Sequence, residues 1–193
     1  VVDCSSVDNS GVGVSAGDGL TLDGGVFEGN GGGILAGSGS SVSGARVANS
    51  TGFGIGVLVG ADSVLLNTSV LGSAFDGVQM GNGGLIQGCV IANNGAHGAV
   101  VGSRTRVDGC TIRNNLGSGV YATLYCLITN NIVDDNGDAV GEAGVRAFEG
   151  CRIEGNTFSE NFRGVRLDDN RNVVVRNTFI RNGSPQLEDV GAN

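Results

Sequence analysis

The chain has 193 residues, 37 of them Gly and 1 Pro, and its 11 basic residues, all Arg, face 19 acidic ones; this length suits one domain with a substantial core. A hydrophobic share of 40% with 16% charged residues excludes a disordered chain, and glycine without a Gly-X-Y period excludes collagen. A net charge of −8 excludes nucleic acid as partner, since phosphate binding needs a clustered cationic surface; no apolar run approaches the roughly 20 residues of a membrane span, and Val1-Val2-Asp3-Cys4 shows no cationic or apolar signal region.

The elements repeat along the chain. The first unit carries apolar residues five apart at Val2 and Val7, and the same pair returns at Leu22 and Phe27, Val42 and Val47, and Leu65 and Val70. It continues at Ile86 and Ile91, Val107 and Ile112, Ile128 and Val133, Ile153 and Phe158, and Val174 and Phe179. Nine units of 20 to 25 residues therefore account for the chain. The twin Asn156-Thr157-Phe158 and Asn177-Thr178-Phe179 are the most legible rungs of this rule.

Within a unit, a polar turn follows three positions after the second apolar residue. Asn30, Asn94, Asn115, Asn136, Asn161 and Asn182 fill it, with Ser10, Ser50 and Ser73 in the other units. A Gly and then Val, Ile or Ala follow. Apolar residues flanked by polar or small ones, as in Arg106-Val107-Asp108 and Val120-Tyr121-Ala122, alternate with the period of a strand, and no window holds a helical stripe. Each unit reads as three short strands separated by Gly and Asn turns.

A unit this short cannot bury its own apolar residues, so units stack and each strand pairs in parallel with its equivalent one turn on. The predicted fold class is all-β: a single-stranded right-handed parallel β-helix, or solenoid, spanning residues 1–193 as one domain. With strands about 4.8 Å apart, nine turns give a rod on the order of 43 Å long. Asn tolerates left-handed backbone and its amides can satisfy turn groups, so the asparagines are assigned to the scaffold.

A position for small or amide side chains precedes the second apolar column: Ser5, Gly25, Ala45, Thr68, Cys89, Cys110, Asn131, Asn156 and Asn177. Cys89 and Cys110 fall on adjacent rungs of it, and Cys126 and Cys151 are likewise adjacent. Rung spacing permits a disulfide, while small buried thiols suit a core; free thiols are the favoured expectation. The chain begins within a rung and shows no capping helix, from which a portion of a longer chain is expected.

Copies such as "CRIEGNTFSENFRGVRLDDNRNVVVRNTFIRNG" resemble the bacterial right-handed parallel β-helix repeat proteins of the pectate-lyase-like superfamily, over the entire chain. The resemblance implies an extracellular or cell-surface setting and a polysaccharide partner. Its lyases use a Lys or Arg base, generally beside calcium; this chain has no Lys. Its hydrolases carry Asp-Asp, Gly-His-Gly and Arg-Ile-Lys in that order, whereas here Asp134-Asp135 and Asp168-Asp169 both follow the sole histidine, His97, and Arg-Ile-Lys is missing. Its epimerases gather Tyr, His and Asp; Tyr121 and Tyr125 lie one unit after His97 with no motif joining them.

The residue after each Gly-Val pair points outward, and in late units it is Tyr121, Arg146 and Arg166. An aromatic face and two guanidinium forks one rung apart suit a sugar ring and its carboxylates, with Asp168, Asp169 and Glu149 available to hydroxyls. The alternative is a solvated face on which Arg and acidic residues pair. Asp134, Asp135, Asp138 and Glu142 crowd the longest unit, either as an ordinary acidic loop or as oxygen ligands for calcium; no other cofactor is suggested. His97 is expected to be exposed and without a positioned partner. Outward Val64, Leu66, Leu85, Val90, Leu127 and Ile132 are more apolar than a lone rod requires and point to a homo-oligomer or neighbouring domains. The functional expectation is a non-catalytic scaffold for extracellular polysaccharide. The alternatives are a lyase or uronan epimerase with an Arg base, and a structural spacer.

Overall fold

Short alternating segments punctuated by Gly and Asn give strands of three to five residues. Residues 1–190, which the computed structural model describes, contain no helix. The strands occupy three sheets in rotation. The first sheet has nine strands, from Ser5–Val7 to Thr178–Ile180, the second nine, from Val12–Ser15 to Leu187–Asp189, and the third eight, from Thr21–Asp23 to Val173–Val175. Each strand pairs in parallel with its equivalent one turn away, as Val90–Ala92 does with Thr111–Arg113. The result is the expected solenoid, with its core along the axis.

The two apolar columns stack in register. Ile86, Val107 and Ile128 lie opposite one another in the third sheet, and Ile91, Ile112 and Val133 in the first, all of them fully buried. Phe158 and Phe179 continue the second column with ring centroids 5.2 Å apart. Column residues from the second sheet, such as Val120 and Val145, close the third side of this core.

The first unit departs from the expected register by one residue. Ser6, not Val7, lies opposite Phe27, and Val2 bridges Asp23 rather than Leu22. Val2 and Val7 are 68% and 51% exposed, consistent with that shift. Cys4 accordingly replaces Ser5 beside Gly25, its carbonyl accepting the Val26 amide, and Asn9 replaces Ser10 beside Asn30. A surplus residue sits in the turn after Asn9: Asn9 meets Asn30, 21 positions on, whereas Val14 meets Ile34, 20 positions on. A step of 20 counted back from Phe27 thus falls one residue short of Ser6.

Stacked asparagines satisfy backbone that the turns leave open. Asn115 Nδ2 donates to Asn136 Oδ1 at 2.8 Å and to the Ile91 carbonyl at 3.3 Å, while its Oδ1 accepts from Asn94 Nδ2 at 2.8 Å and from the Asn94 amide at 3.2 Å. Each side chain so serves two rungs, which is why Asn recurs where a shorter Ser leaves its hydroxyl orphaned at Ser50 and Ser73. A second row, Asn131 to Asn156 to Asn177, is bonded in the same way.

The Gly before the outward row of the second sheet is demanded by close packing. A Cβ on Gly98 would stand 2.5 Å from the Gly119 carbonyl oxygen and 2.8 Å from Ile112. Only a bare backbone lets this sheet close onto the core.

On the third sheet, Asp108 accepts Thr129 Oγ1 at 2.7 Å, Asn130 Nδ2 at 3.0 Å and Gln87 Nε2 at 3.1 Å. The Thr129 bond, ahead of those from Asn130 and Gln87 and the Arg106 charge, holds its carboxyl below the ordinary range despite partial desolvation. A depressed folded-state pKa contributes stability that is present above the unfolded value, about 4, and is lost as pH falls through the lowered folded value. Thr129→Val is therefore expected to lower stability at pH 6 and to narrow its difference from the parent in strong acid; urea titrations at several pH values measure this. An equal gap at every pH would contradict it.

Candidate functional site

Alternation along the second sheet sends one residue of each central pair outward, and register places these residues in a line. Tyr121 lies opposite Arg146, Arg146 opposite Arg166, and Arg166 opposite Glu188. Their neighbours Val120, Ala122, Val145 and Ala147 are buried, which fixes the direction of the row. The Arg146 guanidinium stands 5.2 Å from the Tyr121 ring centroid. Asp168 lies between the two arginines, its Oδ2 2.5 Å from Arg146 Nε and its Oδ1 2.6 Å from Arg166 Nε. Glu188 Oε2 stands at ion-pair distance from Arg163 Nε, 3.0 Å, and from Arg166 Nη1, 3.5 Å, without an aligned hydrogen bond to either.

The Asp168 hydrogen bond, then the charges of Asp168, Glu188 and Glu142, hold the Arg166 guanidinium above its ordinary value. That environment stabilises the cation and opposes its use as a base. Three arginines, Arg146, Arg163 and Arg166, meet three carboxylates, Glu142, Asp168 and Glu188, so the row offers directed donors without a net cationic field.

The sole histidine, expected to be exposed and unpartnered, joins this row. His97 packs on Tyr121 with ring centroids 5.4 Å apart at 32°. Its Nδ1 accepts the Ser118 amide at 3.0 Å and lies 3.6 Å from Glu142 Oε2, and its own amide donates to Asp76 Oδ1 at 2.9 Å. Glu142 is delivered by the enlarged turn of the longest unit, and it is anchored by the Ser118 amide at 2.9 Å and the Ser118 hydroxyl at 2.6 Å.

Tyr121, Arg146, Arg166 and Asp168 are thus brought together, while two other candidates stand apart. Asp169 accepts the Asn170 amide beside its own turn. Glu149, at the end of strand Val145–Glu149, pairs with Arg171 at 2.9 Å.

The acidic residues of the long turn separate as well. Asp134 accepts the Ser159 hydroxyl at 2.5 Å, and Glu142 turns to Ser118 and His97, leaving Asp135 and Asp138 beside a polar cavity of about 190 Å³. Among the described residues no three His, Cys, Asp or Glu side chains are grouped as metal ligands.

The apolar outward residues are divided between two sheets. Val64, Leu85 and Leu127 follow one row of the third sheet that Arg106 interrupts, and Val90 and Ile132 follow the first sheet with Thr111 between them. The outer face of the second sheet is apolar instead in its early turns, where Leu35, Ile55, Leu58 and Phe53 line a cavity of about 250 Å³. All five cysteines are free thiols. Cys89 beside it, and then burial, push the Cys110 thiol up.

A family model described as "Right handed beta helix region" matches residues 1–125 and 76–191. Among solved structures, a pectate lyase, Pel9A, is similar at 14% identity and TM-score 0.50, over 90% of this chain and 61% of that one. The chain thus spans less than two thirds of the length of that lyase. The A-module of the mannuronan C-5 epimerase AlgE4 from Azotobacter vinelandii aligns at 16% identity and TM-score 0.48, over 100% of this chain and 78% of that module. No curated protein matches the chain. With the family model covering nearly every rung of the solenoid just described, the chain belongs to the right-handed β-helix region family.

Proposed function

We propose that the protein binds extracellular or cell-surface polysaccharide along the outer face of its second sheet, across His97, Tyr121, Arg146 and Arg166. One observation carries this reading: the row ends in polar groups with no protein partner among the described residues. Among the described residues the Tyr121 hydroxyl, His97 Nε2 and the Arg146 Nη atoms have no hydrogen-bond partner, and none of them is a buried orphan. An aromatic face flanked by directed donors, repeated at rung spacing, suits a chain of pyranose rings lying along the solenoid. That a pectate lyase carries this fold supports a glycan partner, and with it an extracellular setting.

Because the arginines are neutralised locally and the chain carries −8, recognition depends on hydrogen bonding and stacking more than on long-range attraction. Binding is accordingly expected to vary only weakly with ionic strength. A catalytic reading is favoured by the proximity of His97 to Tyr121, two groups able to exchange protons, but not by an Arg166 base.

Titration with alginate, pectate and neutral glycans, with and without calcium, tests both readings. Tyr121→Ala is expected to weaken binding about tenfold, the order of one lost stacking contact. Equal affinity for the variant and the parent would remove the row from the binding surface. Unsaturated uronates in ultraviolet absorbance, or a changed uronate ratio by NMR, would make the protein an enzyme.

A further inference from the structure

We propose that His97 is a fixed hydrogen-bond donor of this surface, locked by Ser118 and Glu142 so that Nε2–H is presented to an acceptor oxygen of the ligand, a sugar hydroxyl or a uronate carboxylate. The proposal deepens the glycan reading and rests on it for the identity of the ligand; the locked ring can be tested without any ligand.

Three contacts immobilise the imidazole. The Ser118 amide points its N–H at Nδ1 at 3.0 Å, so in the neutral ring Nδ1 holds the lone pair and Nε2 the proton. Turning the ring over would set carbon against that amide and forfeit the bond. The His97 amide is tied to Asp76 Oδ1 at 2.9 Å, whose Oδ2 takes Gln79 Nε2 at 2.8 Å, and one ring face rests on Tyr121.

Glu142 acts through Ser118. Its Oε2 receives both the Ser118 hydroxyl and the same Ser118 amide, and the Ser118 hydroxyl in turn accepts the Ala143 amide at 3.1 Å. The enlarged turn is thereby stitched down onto the rung below it, and Ser118 itself is fully buried. Glu142 and Ser118 are positioning residues; His97 is the contact. Nε2 has no partner among the described residues, and the side chain is 25% exposed.

This arrangement gives the row a directional imidazole donor at one end and guanidinium forks at the other. Such polarity reads the direction of a bound chain, because reversing it exchanges the groups offered to His97 and to Arg146.

The chain has one histidine, so its ring nitrogens can be followed by long-range proton–nitrogen NMR in the intact protein without assignment ambiguity. With the ring in its neutral form, the free protein is expected to show a protonated Nε2 and a lone-pair Nδ1. Adding an alginate or pectate oligomer that binds should move Nε2 and leave Nδ1 nearly in place. His97→Ala is expected to weaken that binding about tenfold, as for a lost directional hydrogen bond, and His97→Gln, which keeps a donor, to recover most of it.

A ring protonated on Nδ1, or exchanging between tautomers, in the free protein overturns this inference and leaves the glycan surface standing. So does an unmoved Nε2, or a His97→Ala variant that binds like the parent. No binding of any glycan overturns the glycan reading and, with it, the role assigned to Nε2–H, whatever the tautomer.

Discussion

Ile112→Asp is expected to lower the melting temperature of the protein by on the order of 10–20 °C. Ile112 is fully buried, with Ile91 and Val133 directly opposite it on the two adjacent rungs. Truncating such a side chain costs about 2–5 kcal/mol, and a carboxylate that cannot be paired adds several more unless it takes up a proton. Against a total stability of about 5–15 kcal/mol, and with about 2–4 °C per kcal/mol in a domain of this size, the drop is large. Each rung touches only its neighbours, so the damage should begin in the middle turns and spread outward as cooperativity fails. Far-UV circular dichroism melts measure it, with the half-buried, outward neighbour Thr111→Asp as control. A variant that melts with the parent would mean that Ile112 does not face the axis.

Most of the fold was legible because stacking rewards repetition. Where a rung keeps the common length, an apolar residue at Ile86 obliges one at Val107 and another at Ile128, and the register follows from counting. Counting failed at Val2 and Val7, where a surplus turn residue shifts the phase by one; in a strand a shift of one exchanges inside for outside. Periodicity alone could not see the orphaned bond donors and acceptors that make Asn9, rather than Ser10, the partner of Asn30.

The site was legible to the same extent and for the same reason. Tyr121, Arg146, Arg166 and Asp168 sit on or directly beside strands, where alternation and register decide direction. Asp169 and Glu149 chemically resemble the carboxylates that do contribute, but Asp169 lies in the turn past Leu167 and Glu149 ends its strand, and there the chain turns away. His97 and Glu142 were missed as a pair because the path of an enlarged turn obeys no rung rule. The available signal was length: the unit carrying Glu142 is the longest, and surplus residues in a solenoid must cover something.

Asp168→Ala is expected to damage the surface more than the loss of any single donor. Asp168 is shared by Arg146 and Arg166, at 2.5 and 2.6 Å, and its side chain is only 10% exposed. Removing it leaves two guanidinium groups on adjacent rungs with mutual repulsion and no common anchor. Both arginines are partly solvated, which discounts the figure for a buried pair to about 1–3 kcal/mol of stability. The sharper effect falls on ligand binding. With Asp168 gone, Arg146, Arg163 and Arg166 outweigh Glu142 and Glu188, so the row gains a net positive charge while losing its fixed geometry. A uronan should then bind about tenfold or more weakly at physiological ionic strength, and its affinity should fall more steeply with added salt than that of the parent. Asp168→Asn, which keeps an acceptor for one arginine, should lie between the two. Calorimetric titration with alginate or pectate oligomers at two salt concentrations distinguishes these outcomes. Unchanged affinity and unchanged salt dependence would show that the arginine forks serve only to hold one rung to the next.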